Sequence, residues 1–132
     1  MIGVRAKASA LMALVLAGAC SSATDPLPRG ALPLDPPAIY TTWWEEVEGC
    51  AGKTADFAAV SWYYVPGEGG FSAGSKPDVV GVWRPAGNSI TLAQYVVDNG
   101  LVVRHEMLHA ILQRTDHPAE YFVDRCAVLV VY

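Results

Sequence analysis

The residues of this chain best suited to chemistry lie in one run, His105-Glu106-Met107-Leu108-His109. If the run is helical, the two histidines are separated by about 40° around the axis and one turn along it. Both imidazoles then reach one tetrahedral metal ion, at bond lengths of about 2.0–2.1 Å. Glu106 points to one side of the pair, where a carboxylate can hold a water against the metal without ligating it. Two histidines leave places for a third protein ligand and for water, as a catalytic zinc requires. The chain has three histidines in 132 residues, and the third, His117, follows closely. A single buried histidine needs no metal to explain it. A chain that uses histidine nowhere else does.

These residues need a scaffold. Residues 101–112 are apolar on almost every side apart from Arg104 and the His/Glu set, which predicts a buried helix with Asp98 as N-cap. Asp98-Asn99-Gly100 is also a hairpin signal, so residues 96–103 have a β-ribbon as their alternative. Thr115-Asp116-His117-Pro118 turns the chain, and Pro118 suits the start of a final helix with Glu120 in its first turn. Upstream, Tyr40, Trp43, Trp44, Val47, Cys50 and Ala51 recur at helical spacing. Thr42 and Glu45 have the spacing of a capping box, and Gly52 is the stop. The Trp face is read as core packing on a sheet rather than as a ligand platform. Residues 57–65, 79–84 and 89–95 read as strands, the last two around the Pro85-Ala86-Gly87-Asn88 turn. Residues 68–77 are Gly-rich and lack the ending of a phosphate-binding loop, so they read as plain loop.

Hydrophobic residues make up 52% of the chain and charged ones 17%, which argues against disorder. The formal charge is −4 and there is no Lys/Arg cluster, so nucleic acid is not the expected partner. Residues 1–20 have the form of an export signal: Arg5 and Lys7, then a short apolar run, then small residues before Cys20. Leu16-Ala17-Gly18-Ala19-Cys20 resembles a bacterial lipobox, which implies a lipid on Cys20 and anchorage at an outer membrane or cell surface; cleavage after Ala19 is the rival reading. With Cys20 lipidated, Cys50 and Cys126 remain as a disulfide pair in an oxidising compartment, or else as two small buried hydrophobes. Residues 21–38 hold five of the nine prolines and read as a semi-extended tether, leaving residues 39–132 as one domain.

The segment Val103-Arg104-His105-Glu106-Met107-Leu108-His109-Ala110 resembles the active-site helix of zincin metallopeptidases. The resemblance implies an α+β fold of minimal zincin-like form. It would have an N-terminal helix, a small mostly antiparallel sheet, the active-site helix and one C-terminal helix. It implies a zinc cofactor, a peptide or protein substrate, and hydrolysis with Glu106 as general base. By the same resemblance the substrate lies extended along an edge strand, supplied by residues 79–84 or 89–95. The metzincin form would place Gly and His where Leu112 and Thr115 stand, so the third ligand must be sought elsewhere. His117 ranks first and Asp124 second, with Glu120 and Asp116 after them. Tyr121 is the candidate oxyanion stabiliser, or else a core aromatic. A lipoprotein that binds zinc without catalysis is the alternative function, and a structural surface module with an accidental motif is the third.

Overall fold

The computed structural model describes residues 26–132, so the export signal and Cys20 lie outside the described residues. Helix α1 (Ile39–Ala51) starts directly after Pro36-Pro37, three residues before the expected capping box, and its N-cap Ala38 offers no side-chain bond. Thr41 donates its hydroxyl to the Ala38 carbonyl instead. The stop is as read: Gly52 is left-handed and donates its N–H to the Glu48 carbonyl.

The strands are shorter than their apolar runs. Residues 57–59 form a single 3₁₀ turn, capped by Asp56, and β2 (Ser61–Val65) follows it. The Gly-rich segment is not plain loop: β3 (Phe71–Ala73) and β4 (Lys76–Val79) pair there as an irregular antiparallel hairpin. The run 79–84 is divided between β4 and β5 (Gly81–Arg84), and β6 (Ser89–Ala93) returns after the predicted turn.

The main sheet has the order β1-β2-β6-β5, where β1 is Leu32–Pro33. It is mixed: β1–β2 and β6–β5 pair antiparallel, as expected for most of the sheet, while its central pair, β2 and β6, runs parallel over five residues each. A parallel pair needs a crossover of about a dozen residues or more, and residues 66–88 supply one from a hairpin and a strand instead of a helix. Strand β6 is buried at every position, whereas β5 stands at the edge. The edge question left open between residues 79–84 and 89–95 is therefore decided for β5.

The proline-rich segment also departs from the expected tether where it is described. Leu32 and Pro33 pair with Tyr64 and Tyr63, Leu34 donates to the Trp62 carbonyl, and Pro28 is buried. This short strand covers the otherwise open edge of β2, a position where proline's missing N–H is tolerated.

Helix α2 (Gly100–Leu112) packs between α1 and β5. Its N-cap is Asn99, one residue later than expected, whose side chain accepts from the N–H groups of Leu101 and Val102. Tyr40, Trp44 and Val47 of α1 meet Trp62, Ile90 and Leu92 of the sheet and Val103, Met107 and Leu108 of α2 in one core. Tyr40 and Trp62 are in ring contact at 4.9 Å, which bears out the packing role of the α1 aromatic face. A six-residue helix of π type, Glu120–Arg125, follows α2, and Cys126 behind it forms a disulfide with Cys50 of α1.

Candidate metal centre

His105 and His109 lie one turn apart on α2, and the chain beyond the helix brings His117 to them. The helix stops at Gln113, which is left-handed and donates its N–H to the His109 carbonyl. Arg114 then grips Asp116 through two charge-assisted hydrogen bonds of 2.8 and 2.6 Å, closing the turn just ahead of His117. The Nε2 atoms form a triangle: 3.1 Å for His105–His109, 3.2 Å for His109–His117 and 3.0 Å for His105–His117. Among the described residues, these three are the group of potential metal ligands that converges on one point.

The protonation pattern tests whether a cation belongs there. Nδ1 of His105 lies 2.7 Å from the Val131 carbonyl oxygen, and Nδ1 of His109 lies 2.7 Å from that of Arg114. A carbonyl only accepts, so each Nδ1 must carry the proton, and in the neutral ring each Nε2 then presents a lone pair. Burial, the largest cause, lowers the pKa of both rings, that of His109 to about 4, and His117 adds to the effect on each. Neutral imidazoles with lone pairs aimed at one point fit a metal ion. A tetrahedral ion with bonds of about 2.0–2.1 Å needs ligand nitrogens about 3.3 Å apart, close to the observed edges.

Phe122, from the π-type helix, lies beneath all three rings, with centroids 5.0, 4.9 and 4.8 Å from His105, His109 and His117. It is 1% exposed and gives the ligand set a common apolar floor. Periodicity could not assign it this role, because the contact depends on how the chain beyond α2 folds back onto the helix.

Glu106 lines the same cleft, a cavity of about 340 Å³ whose other walls include β5, Lys76 of β4, and Pro26 and Pro28. Its carboxyl is buried against Gly81, where a Cβ atom would come within 2.8 Å of Oε1. Burial pushes its pKa up to about 8, opposed by a hydrogen bond from the Trp83 backbone and by the charge of Lys76. A glycine at the start of β5 is thus what admits the glutamate to the strand edge.

The remaining candidates are not brought to the histidines. Asp124 is exposed and outside the converging group. Glu120 pairs with Arg125 at 3.4 Å. Asp116 bonds to Arg114 rather than to an imidazole, so it acts on the site by shaping the turn. Tyr121 is not among the residues lining the cleft, and its ring packs near the Arg125 guanidinium, 5.9 Å away. No protein-family model, curated protein or solved structure matches this chain.

Proposed function

We propose that this protein is an exported, membrane-anchored zinc metallopeptidase. The observation that carries the reading is the juxtaposition, in one cleft, of three converging histidine nitrogens and a buried glutamate next in sequence to one of them. Imidazole donors in a three-fold set suit zinc, and three protein ligands leave the fourth position open. Zinc bound there would polarise a scissile carbonyl and acidify a water. Glu106, in the same cleft, would take a proton from the attacking water and deliver it to the leaving amine. His105 and His109 are each held by a backbone carbonyl, so these two rings are oriented before substrate arrives.

The alternative, zinc binding without catalysis, explains the histidines but gives no role to a carboxyl placed in their cleft. Anchorage and export rest on the lipobox resemblance at Cys20. The test is zinc content and peptide hydrolysis of the purified chain and of Glu106→Gln. The variant should keep one zinc per chain and lose about 10²–10⁴-fold in turnover. Equal turnover in parent and variant would reject Glu106 as the base, and zinc without hydrolysis in the parent would favour the binding protein.

A further inference from the structure

Away from the histidines and Glu106, the walls of the cleft are small and apolar. They include Pro26 and Pro28 of the segment before α1, Ala73 and Val79 of the β3–β4 hairpin, Val82 of β5 and Pro85 beyond it. None of these six side chains donates or accepts a hydrogen bond, and the prolines lack an N–H as well. Arg84 also borders the cleft but is engaged within the protein, its terminal nitrogen donating to Ser89 Oγ at 2.8 Å. Lys76 is exposed and keeps its charge in water. A polar side chain seated among the six would give up water without gaining a partner.

The volume sets a size. The cleft's 340 Å³ equals about eleven waters at roughly 30 Å³ each. Counted as non-hydrogen atoms of similar bulk, that is the room for a pair of small residues, since two alanines bring about ten. The walls are also held in place. Proline fixes its own φ, and Pro28 is buried, its carbonyl accepting from the Ala31 N–H at 3.1 Å. Leu34 donates to the Trp62 carbonyl at 2.9 Å, which ties the same segment to β2. In the hairpin, Phe71 is 7% exposed and roots β3 in the core.

We propose that the cleft selects peptides in which the two residues flanking the scissile bond are small and apolar, of the alanine class. Val82 and Pro85 set the limit of size on the β5 side. This deepens the peptidase reading and rests on it.

The test is equilibrium binding to the full chain carrying Glu106→Gln and loaded with zinc, which removes turnover from the readout. Three tetrapeptides, N-acetylated and amidated, serve as probes: all alanine, alternating serine and alanine, and alternating leucine and alanine. Any adjacent pair then brings about ten, eleven or thirteen non-hydrogen atoms to a space for about eleven. The alanine peptide should bind about 5–100-fold more tightly than either of the others. The leucine peptide overfills the cleft, and the serine peptide buries hydroxyls without partners. Val82→Ala, which trims two methyl groups from the wall, should close most of the gap for the leucine peptide and leave that for the serine peptide unchanged. This is a gain of binding, which loss of folding cannot imitate; Pro85→Ala trims the same wall and serves if Val82→Ala does not fold. Equal binding of either comparison peptide overturns the proposal. So does an alanine peptide that fails to bind at millimolar concentration, or a leucine gap that neither substitution narrows. The parent chain, assayed separately, reports on hydrolysis: turnover that does not discriminate among the three peptides rejects this inference alone, and the alanine preference without turnover of any peptide rejects the peptidase reading alone.

Discussion

His105 and His117 are twelve residues apart in sequence, yet their Nε2 atoms are 3.0 Å apart. Helical spacing joins His105 to His109, but only a stopped helix and a braced turn return His117 to the same point. Asp124 also follows the helix but is not returned to that point. His117→Ala should therefore weaken zinc binding beyond the roughly 10–100-fold typical of losing an outer partner. Asp124→Ala should leave zinc binding unchanged. Competition with a chelator of known affinity measures both, and the reverse order would reassign the third ligand.

Phe122 contacts all three imidazoles from below. Phe122→Ala would open a cavity there and cost about 3–5 kcal/mol of stability. Phe122→Leu keeps most of the volume and loses the flat floor. We expect the Phe122→Leu variant to stay folded and to bind zinc more weakly, as seen in the cobalt-substituted absorption spectrum. An unaltered spectrum and affinity would reduce Phe122 to simple core packing.

Gly81 gives Glu106 its place, since a Cβ would stand 2.8 Å from Oε1 and 2.9 Å from Cγ. In Gly81→Ala the glutamate must move while the histidines need not. Hydrolysis should fall by at least about tenfold with zinc content intact, given how steeply rate depends on placement of a catalytic group. A parallel loss of zinc would show that β5 supports the ligands as well.

The Cys50–Cys126 disulfide spans 76 residues and ties the segment carrying Phe122 back to α1. In the chain-entropy model a loop of this length contributes about 4–5 kcal/mol. Cys50→Ser with Cys126→Ser should lower the denaturation midpoint accordingly. Zinc should recover part of that loss, because an ion binding only the folded chain stabilises it. Thermal melts with and without zinc measure both effects.

Tyr40 is fully buried and donates its hydroxyl to the Val97 carbonyl at 2.6 Å. Burial, with a smaller push from Asp98, raises its pKa well above the ordinary tyrosine value. A raised pKa means the folded chain keeps a proton that the unfolded chain releases above about pH 10. The stabilisation is therefore complete below that pH and declines as pH rises through and beyond it. Tyr40→Phe should lose about 1–3 kcal/mol at neutral pH, by orphaning the Val97 carbonyl, and show a shallower alkaline decline. Urea titrations at a series of pH values test both slopes.

The places where sequence and structure diverge share a physical cause. Local rules located the helices, the Gly52 stop and the hairpin turn, because each depends on neighbours within a few residues. They misplaced the start of α1 and the N-cap of α2, where Asn99 rather than Asp98 meets the free N–H groups. They could not foresee the parallel pairing of β2 with β6, since strand direction depends on the route of the chain between strands. The Gly-rich segment reads as loop because its two strands are short and irregular, and the proline-rich one as a tether although two of its residues pair with β2.

By itself the sequence determined the candidate ligand pair and the glutamate beside it, because a helix repeat of 3.6 residues leaves His105 and His109 one arrangement once helical. It also determined the Cys50–Cys126 pairing as a choice of two, and the clustering of all histidines near the end of the chain. Only the tertiary structure decided which later residue joins the pair, what lies under the three rings and which strand borders them. Those are contacts between segments far apart in sequence: Gly81 against Glu106, Phe122 against the imidazoles, and the Val131 carbonyl on His105. No periodicity encodes such contacts; they are set when helix, sheet and C-terminal segment bury their apolar faces together.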